Sequence, residues 1–576
     1  MQYPVYEARN EIVSILKKAL SKLKYETDIK LEKPPEEKMG DFAFPCFSIA
    51  KTAKKSPNLI ADEVIRTIEK TSWVEKIEKN GAYINFFINQ KKTASETLEL
   101  IIKNKEKYGF LDQKNKKVIV EHTSANPNGP LHVGRARNPI IGDTIARIYK
   151  TAGYNVETQF YLDDMGKQVA ILAWGLNNLD PKQIPQSDYE KTDHQKVGFY
   201  QKANEIMEKD EKIAEEINEI IRKSEKGDTE TLKLIHAAYK PVLEGIKQSM
   251  KRINITIDRF IPESTFVKDK TVDTVVEKLK KSEYCGVEDG AYYIDMEPFG
   301  VQGRNTKFFF LRKDGTTLYA TRDIAYHLWK NKQADVLINI LGEDHKLESK
   351  QVEVALKIIG AKKLPTVIFY SFVSLPEGKM STRRGRVVYL DELIDECIKR
   401  AYVEVKKRRG KELSEKKMKE IAEKIGIGAL RYNIIKVQPE KGITFKWEEA
   451  LNFDGNSSPF IQYAHARACS ILSKNKEKIS RPDASVLNHT SELNLVKKLA
   501  ELPLVVEEAY TGFKPHIIAS YLFSVASLFN QFYRDCPVIH EKNQELRKAR
   551  LSLVDATRII LRNGLNLLGI VAPEEM

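Results

Sequence analysis

Two short segments carry residue types suited to nucleotide chemistry. In GPLHVGRAR, His132, Gly134 and Arg135 fall on a turn between an apolar run and an amphipathic one. A glycine there lets a purine ring approach the backbone, while an imidazole and a guanidinium at the start of a helix can donate hydrogen bonds to phosphate oxygens. In LPEGKMSTRRGRVVYLDEL, Lys379, Met380 and Ser381 precede the basic pair Arg383 and Arg384 on a Gly-flanked loop. A loop ammonium suits a reaction in which pyrophosphate must be stabilised as it departs and then released. Taken alone, the second segment also reads as a solvated basic loop, and an isolated H-x-G is a common accident.

The surrounding patterns supply elements that could position these groups. KNKKVIVEHTSANPNGPLHVGRARNPIIGDTIARIYKTAGYNV reads as strand, Gly/Pro/Asn-rich loop and amphipathic helix, followed by a second strand in VETQFYLDD; this order opens a doubly wound, Rossmann-type parallel α/β sheet. Strand-like runs return in KFFFLRKDGTTLYATRDIAYHLW, ADVLINILGEDH and TVIFYSFVSL, so the α/β domain is placed at residues 113–400. Near 180–255 the chain is highly charged with isoleucines at three- and four-residue spacing, which predicts a helical insertion. Residues 401–576 carry helical period almost throughout and predict an all-α bundle, whereas residues 1–112 mix an amphipathic helix with short aromatic strands, an α+β unit.

A chain of 576 residues with 42% apolar and 9% aromatic residues can build several cores. It has no long apolar block and begins with helical rather than signal-peptide patterning, so a cytoplasmic protein with no membrane span is expected. The five cysteines lie far apart without zinc spacing, predicting free thiols, no structural zinc and no other metal set. A formal charge of +14 and a pI near 9.1 favour polyanionic partners, although a lysine-rich proteome would give the same balance.

Paired in this order, HVG and KMS resemble the HIGH and KMSKS motifs of class I aminoacyl-tRNA synthetases, with Arg135 in place of the second histidine and Thr382–Arg383 in place of the last two KMSKS positions. Through HTSANPNGPLHVG, YLDDMGKQ, LYATRDIAYH and GEDHKLESKQ the resemblance narrows to arginyl-tRNA synthetases, along nearly the whole chain. That resemblance implies ATP contacts from His132, Gly134, Arg135, Asp344, His345, Lys379 and Met380, with His132, Arg135, Lys379 and Ser381 catalytic. It places contacts to L-arginine on Asn126, Glu263, Tyr319, Asp323 and Gln351. Such a set is chemically apt, because a guanidinium needs carboxylates in bidentate reach. Each acidic residue has a plainer reading too: Asp323 could bridge Arg322, and GEDH could be a capped turn.

FDGNSSPFIQYAHARACSIL, FNQFYRDCP and the terminal GIVAPEEM resemble the family's anticodon-binding regions, implying tRNA contacts at Tyr463, Tyr533 and Met576; Asn85 and Phe87 are the candidates in the N-terminal unit. The implied activity is ATP- and Mg²⁺-dependent formation of arginyl-adenylate and transfer to tRNA for arginine; a monomer is expected because a single chain already holds every part. Two rivals stand beside it: another class I nucleotidyltransferase, and a non-catalytic RNA-binding relative.

Overall fold

The computed structural model describes residues 2–69, 71–302, 306–374, 388–475 and 484–576. The N-terminal part folds as α1 (Pro4–Lys22), β1 (Phe42–Pro45), α2 (Phe47–Ala53), α3 (Pro57–Thr67), β2 (Val74–Asn80), β3 (Tyr83–Ile88) and α4 (Gln90–Asn104). Its three strands form an antiparallel sheet of order β1-β3-β2. Ala8, Ile12, Ile15, Leu16 and Ala19 bury one stripe of α1, as their three- and four-residue spacing requires.

The central sheet is assembled from β4 (Lys117–Glu121), β5 (Asn155–Leu162), β6 (Arg259–Pro262), β10 (Val336–Gly342) and β11 (Thr366–Tyr370), all parallel, in the order β11-β10-β4-β5-β6. The first strand therefore lies between strands that continue in opposite directions, and the switch point falls between β4 and β10. Helices cover both faces. Val118, Val120, Ile338 and Ile340 pack with Ile141 and Ile145 of α5 (Arg137–Thr151), while Glu121 and Asn339 alternate to the other face and meet α12 (Tyr319–Gln333).

Long excursions interrupt the sheet. Between β5 and β6 run α6 (Lys167–Asn178), α7 (Thr192–Met207), α8 (Glu211–Glu225) and α9 (Thr229–Arg252), the predicted helical insertion. After β6, α10 (Ser264–Lys268) and α11 (Thr271–Lys280) lead into an antiparallel meander of β7 (Cys285–Glu288), β8 (Ala291–Asp295) and β9 (Lys307–Leu311). KFFFL is thus a strand, but of this meander rather than of the parallel sheet. Its apolar run signals extended backbone without naming a partner.

After β10 come α13 (Lys346–Ile358), β11 and the short β12 (Val373–Ser374), which pairs with β13 (Ile443–Thr444) beyond α14 (Leu390–Arg409) and α15 (Glu415–Ile435). The rest is helical: α16 (Trp447–Ala450), α17 (Ser458–Lys474), α18 (Thr490–Ala500), α19 (Leu502–Thr511), α20 (His516–Asp535) and α21 (Gln544–Leu567). No helix among the described residues is long and apolar enough to cross a membrane. Buried arginines join these parts. Arg431 of α15 donates to Asp143 of α5 at 2.5 Å, to Leu568 O at 2.7 Å and to Ile253 O at 2.6 Å. Arg137 similarly reaches the carbonyls of Ser371, Gln438 and Lys441.

Two stability predictions follow from this packing. Removing one partner of a buried pair leaves the other charge uncompensated. Arg431→Met is therefore expected to cost about 3–5 kcal/mol, read as an earlier urea midpoint for loss of the α/β and helical signals together; an unchanged midpoint would contradict the clamp. The second concerns His122, which sits so close to α5 that a Cβ on Gly142 would lie 2.3 Å from its side chain. Burial pushes its imidazole down to about 4. The unfolded chain then takes up the proton more readily, so stability is complete above the ordinary histidine range near pH 6.5 and falls as pH drops toward about 4, by roughly 3 kcal/mol in all. Urea titrations at pH 7 and pH 4.5 should show a steeper loss for the native chain than for His122→Asn, and parallel losses would refute this assignment.

Candidate active site

The loop after β4 begins under strain. Thr123 and Ser124 both adopt positive φ, +72° and +37°, a region that β-branched residues avoid. Asn138 of α5 holds the turn in place, accepting from Thr123 N at 2.6 Å while donating to Ile340 O of β10 at 3.0 Å. The loop is consequently pinned to both strands at the switch point.

His132 caps the short turn Val133–Arg135, and its Nδ1 accepts from Gly134 N at 2.9 Å. A Cβ on Gly134 would lie only 3.0 Å from that ring nitrogen, so a residue without one belongs here. Burial, with help from Arg135, holds the imidazole below its usual range. In the neutral ring the proton must then reside on Nε2, which becomes a donor. Arg135 extends to Asp344, its Nη2 3.6 Å from Oδ2, and His345 follows within 3.7 Å of the same carboxylate. A 2.7 Å hydrogen bond to Glu348 pushes the His345 imidazole up toward its charged form. HVGR and GEDH, on loops after β4 and β10, are therefore brought together across the switch point. GEDH is a 3-10 turn leading into α13 and lies beside HVGR; neither the turn nor α13 has a side-chain cap, so only the turn of the capped-turn reading is found.

The residues expected to meet arginine are distributed around the same edge. Tyr319 opens α12, with its hydroxyl accepting from Lys167 N at 3.1 Å. Asp323, one turn on, pairs with His327 Nδ1 at 3.1 Å, not with Arg322, and keeps 28% of its side chain exposed. Burial opposes its charge, but attraction to His327, Lys330 and His345, together with the His327 hydrogen bond, outweighs that and holds the carboxyl below its usual range. Asn126 lies on the β4–α5 loop and Gln351 on α13, both partly exposed.

Glu263 behaves differently from a free ligand group. It is 2% exposed and forms an ion pair with Arg322 Nε, while Arg322 Nη1 reaches Glu225 at 3.3 Å and the guanidinium lies over the Tyr319 ring. This carboxylate already has an internal guanidinium, which the sequence pattern did not reveal. Lys379, Met380 and Ser381 lie outside the described residues.

Sequence reasoning also missed Glu121, His327, Lys330 and Asn339, which connect behind Asp323. A signal was present: Asp323, His327 and Lys330 stand at i, i+4 and i+7, one helical face, and Asn339 interrupts the apolar run VLINILG. Among the described residues, one group has the closeness of metal ligands: Asp193, His194 and Asp391. Lys191 and Arg252 already lie on Asp391, at 2.6 and 2.9 Å, so its negative charge is answered by protein cations and the group does not suit a metal.

A second cleft opens in the helical region, about 650 Å³ in volume. Tyr463, Tyr533 and Met576 all line it, and Arg467 lies over both tyrosine rings, 4.6 and 5.3 Å from their centroids. Both tyrosines are exposed. In the N-terminal sheet Asn85 is only 5% exposed, because it occupies the central strand β3 between β1 and β2. Phe87 is partly exposed beside the Lys76 ammonium and is the more available of that pair.

Comparison with known proteins agrees in every segment. The family described as tRNA synthetases class I (R), catalytic domain, matches residues 97–447; the DALR anticodon binding domain matches 461–576; and the arginyl tRNA synthetase N terminal domain matches 10–88. The chain is 48% identical to the arginine–tRNA ligase of Methanocella arvoryzae, over 92% of each chain. It is 44% identical to that of Methanothermobacter thermautotrophicus, over 100% of each. Thermus thermophilus arginyl-tRNA synthetase superposes with a TM-score of 0.84 at 28% identity, over 99% of this chain and 100% of that one. By fold, by crevice and by full-length similarity, the chain belongs to the arginyl-tRNA synthetase family of class I synthetases.

Proposed function

We propose that this protein activates L-arginine with ATP and transfers it to the 3′ end of tRNA for arginine, acting in the cytoplasm as a monomer in translation. Asp323 carries the reading: a partly exposed carboxylate at the open edge of the parallel sheet, held by His327 and adjoining the HVGR–GEDH contact. A carboxylate so placed suits a cationic side chain, and arginine's planar fork can satisfy it in two directions where lysine offers a point charge.

The arginine carboxylate would attack the α-phosphorus in line, forming the acyl phosphate while the bond to pyrophosphate breaks. His132 Nε2–H and Arg135 are suited to hold phosphate oxygens, with His345 adding positive charge and Gly134 leaving room for the adenine. Lys379, with Met380 and Ser381, is assigned from its motif to the departing pyrophosphate. The tRNA ribose hydroxyl would then attack the arginyl carbonyl, AMP would leave, and the adenylate phosphate would take the proton. The ATP phosphates would carry Mg²⁺, which would supply positive charge there; among the described residues the one cluster with metal-ligand closeness, Asp193, His194 and Asp391, is already paired with Lys191 and Arg252, and zinc has no part in this reading.

Around the substrate, Asn126, Tyr319 and Gln351 would complete the pocket with polar groups, while Glu263 would act by balancing Arg322 in the wall. Tyr463, Tyr533 and Met576 form the cleft we assign to unpaired anticodon bases, which stack on aromatic and guanidinium faces. Residues 1–112, 113–400 and 401–576 then divide as elbow-contacting, catalytic and anticodon-binding parts, with Phe87 the N-terminal contact and Asn85 supporting it from the sheet.

ATP–pyrophosphate exchange tests the activity. Arginine-dependent exchange in the presence of the cognate tRNA, not supported by lysine, is expected; absence of exchange alongside retained tRNA binding would favour the non-catalytic rival. Within an active enzyme, Asp323→Asn is expected to reduce kcat/KM for arginine about 10²-fold, the scale of a hydrogen bond to a charged group, with KM for ATP little changed. Equal effects on both substrates would remove Asp323 from the arginine pocket.

A further inference from the structure

Behind Asp323 a chain of hydrogen bonds crosses from β4 through α12 to β10 and back. Lys330 has no exposed side-chain surface; its ammonium donates to Glu121 Oε2 at 2.6 Å and to Asn339 Oδ1 at 3.0 Å, and lies 4.2 Å from the centroid of the Tyr326 ring. Asn339 Nδ2 is 2.7 Å from His327 Nε2, and His327 Nδ1 is 2.8 Å from Asp323 O and 3.1 Å from Asp323 Oδ1.

The direction of every bond in this chain is forced. An ammonium only donates and a carboxylate only accepts, so Lys330 fixes which end of the Asn339 amide is its oxygen. The amide nitrogen is then committed to His327 Nε2, which must accept. A ring nitrogen that accepts carries no proton, so the proton of neutral His327 sits on Nδ1 and points at Asp323. Protonating Nε2 would set two donors face to face in a buried site, leaving both unsatisfied.

We propose that Glu121, Lys330, Asn339 and His327 form a positioning relay that locks His327 as the neutral Nδ1–H tautomer and so presents Asp323 to arginine with its negative charge uncancelled. The inference rests on the assignment of Asp323 to the arginine pocket. Its physical content is separate from that assignment. An imidazolium at this distance would compete with the substrate guanidinium for the same carboxylate, whereas a neutral donor orients the carboxylate and leaves its charge available. The charged and titratable groups facing the pair include Glu121 from β4, Tyr161 from β5, Lys330 and Tyr326 from α12 itself, and His345 from the turn after β10. None of the four residues needs to touch substrate.

Two measurements test the relay. In the native enzyme with ¹⁵N-labelled histidine, His327, assigned by its loss in His327→Asn, is expected to show a protonated Nδ1 and a bare Nε2 at pH 8, where a free imidazole is neutral and favours a proton on Nε2. An imidazolium, or a proton on Nε2, would overturn the proposal whatever Asp323 binds. In Asn339→Asp the new carboxylate accepts from both Lys330 and Nε2–H, so His327 should become an imidazolium. At pH 7 KM for arginine is expected to rise about tenfold with KM for ATP unchanged, and to fall back as pH rises and the imidazolium loses its proton. A KM for arginine that does not vary with pH, or arginine and ATP constants that rise together, would overturn it. Failure of the underlying assignment looks different: Asp323→Asn would then leave KM for arginine unchanged while the native tautomer stayed as stated.

Discussion

A fully buried ammonium, Lys330, is the interaction around which the candidate active site is organised. Charges of this kind persist in a protein interior only when their partners are fixed and complete. Lys330 meets that requirement with Glu121 at the end of β4, Asn339 within β10 and the face of Tyr326, and so seats α12 across the switch point of the sheet. With α12 seated, Tyr319 and Asp323 are delivered to the open carboxyl edge, where the loops after β4 and β10 already meet through Arg135 and Asp344. The opposite face of the same strands is closed by α5, whose Asn138 restrains the strained turn at Thr123.

The remainder of the chain preserves this crevice while extending the molecule for a large polyanionic partner. Arg431 and Arg137 are buried yet satisfied largely by backbone carbonyls from distant segments, so they act as joints between the α/β part and the helices that follow. Such joints fix the cleft of Tyr463, Tyr533 and Met576 relative to the crevice. A net charge of +14 then has a physical use, because contacts to phosphates gain from counterion release over an extended surface.

What the sequence disclosed follows from what is local. HVGR and GEDH are short motifs on single turns after β4 and β10, and their joint placement at strand ends follows from the βαβ pattern, whereas TRD lies in the first turn of α12 and depends on how that helix is seated. The helical insertion was legible because charge and three- and four-residue isoleucine spacing need no partner to be read. KFFFL was legible as a strand but not as a member of the β7–β9 meander, since an apolar run does not name its neighbour. Burial of Asn85 and capture of Glu263 by Arg322 were invisible for the same reason: both depend on residues that the fold brings from elsewhere. The Lys330 relay left a trace in the spacing of Asp323, His327 and Lys330, but only the pairing of β4 with β10 gives that spacing its meaning.

The position that a bound arginine gives its guanidinium decides between Asp323 and Glu263 as the substrate's partner. A crystal structure of the protein with L-arginine should show the guanidinium within hydrogen-bond distance of the Asp323 carboxylate, between Tyr319 and the β4–α5 loop, with the Glu263–Arg322 pair intact. Arginine bound elsewhere, or bound on Glu263 with Arg322 displaced and Asp323 untouched, would contradict the assignment to Asp323.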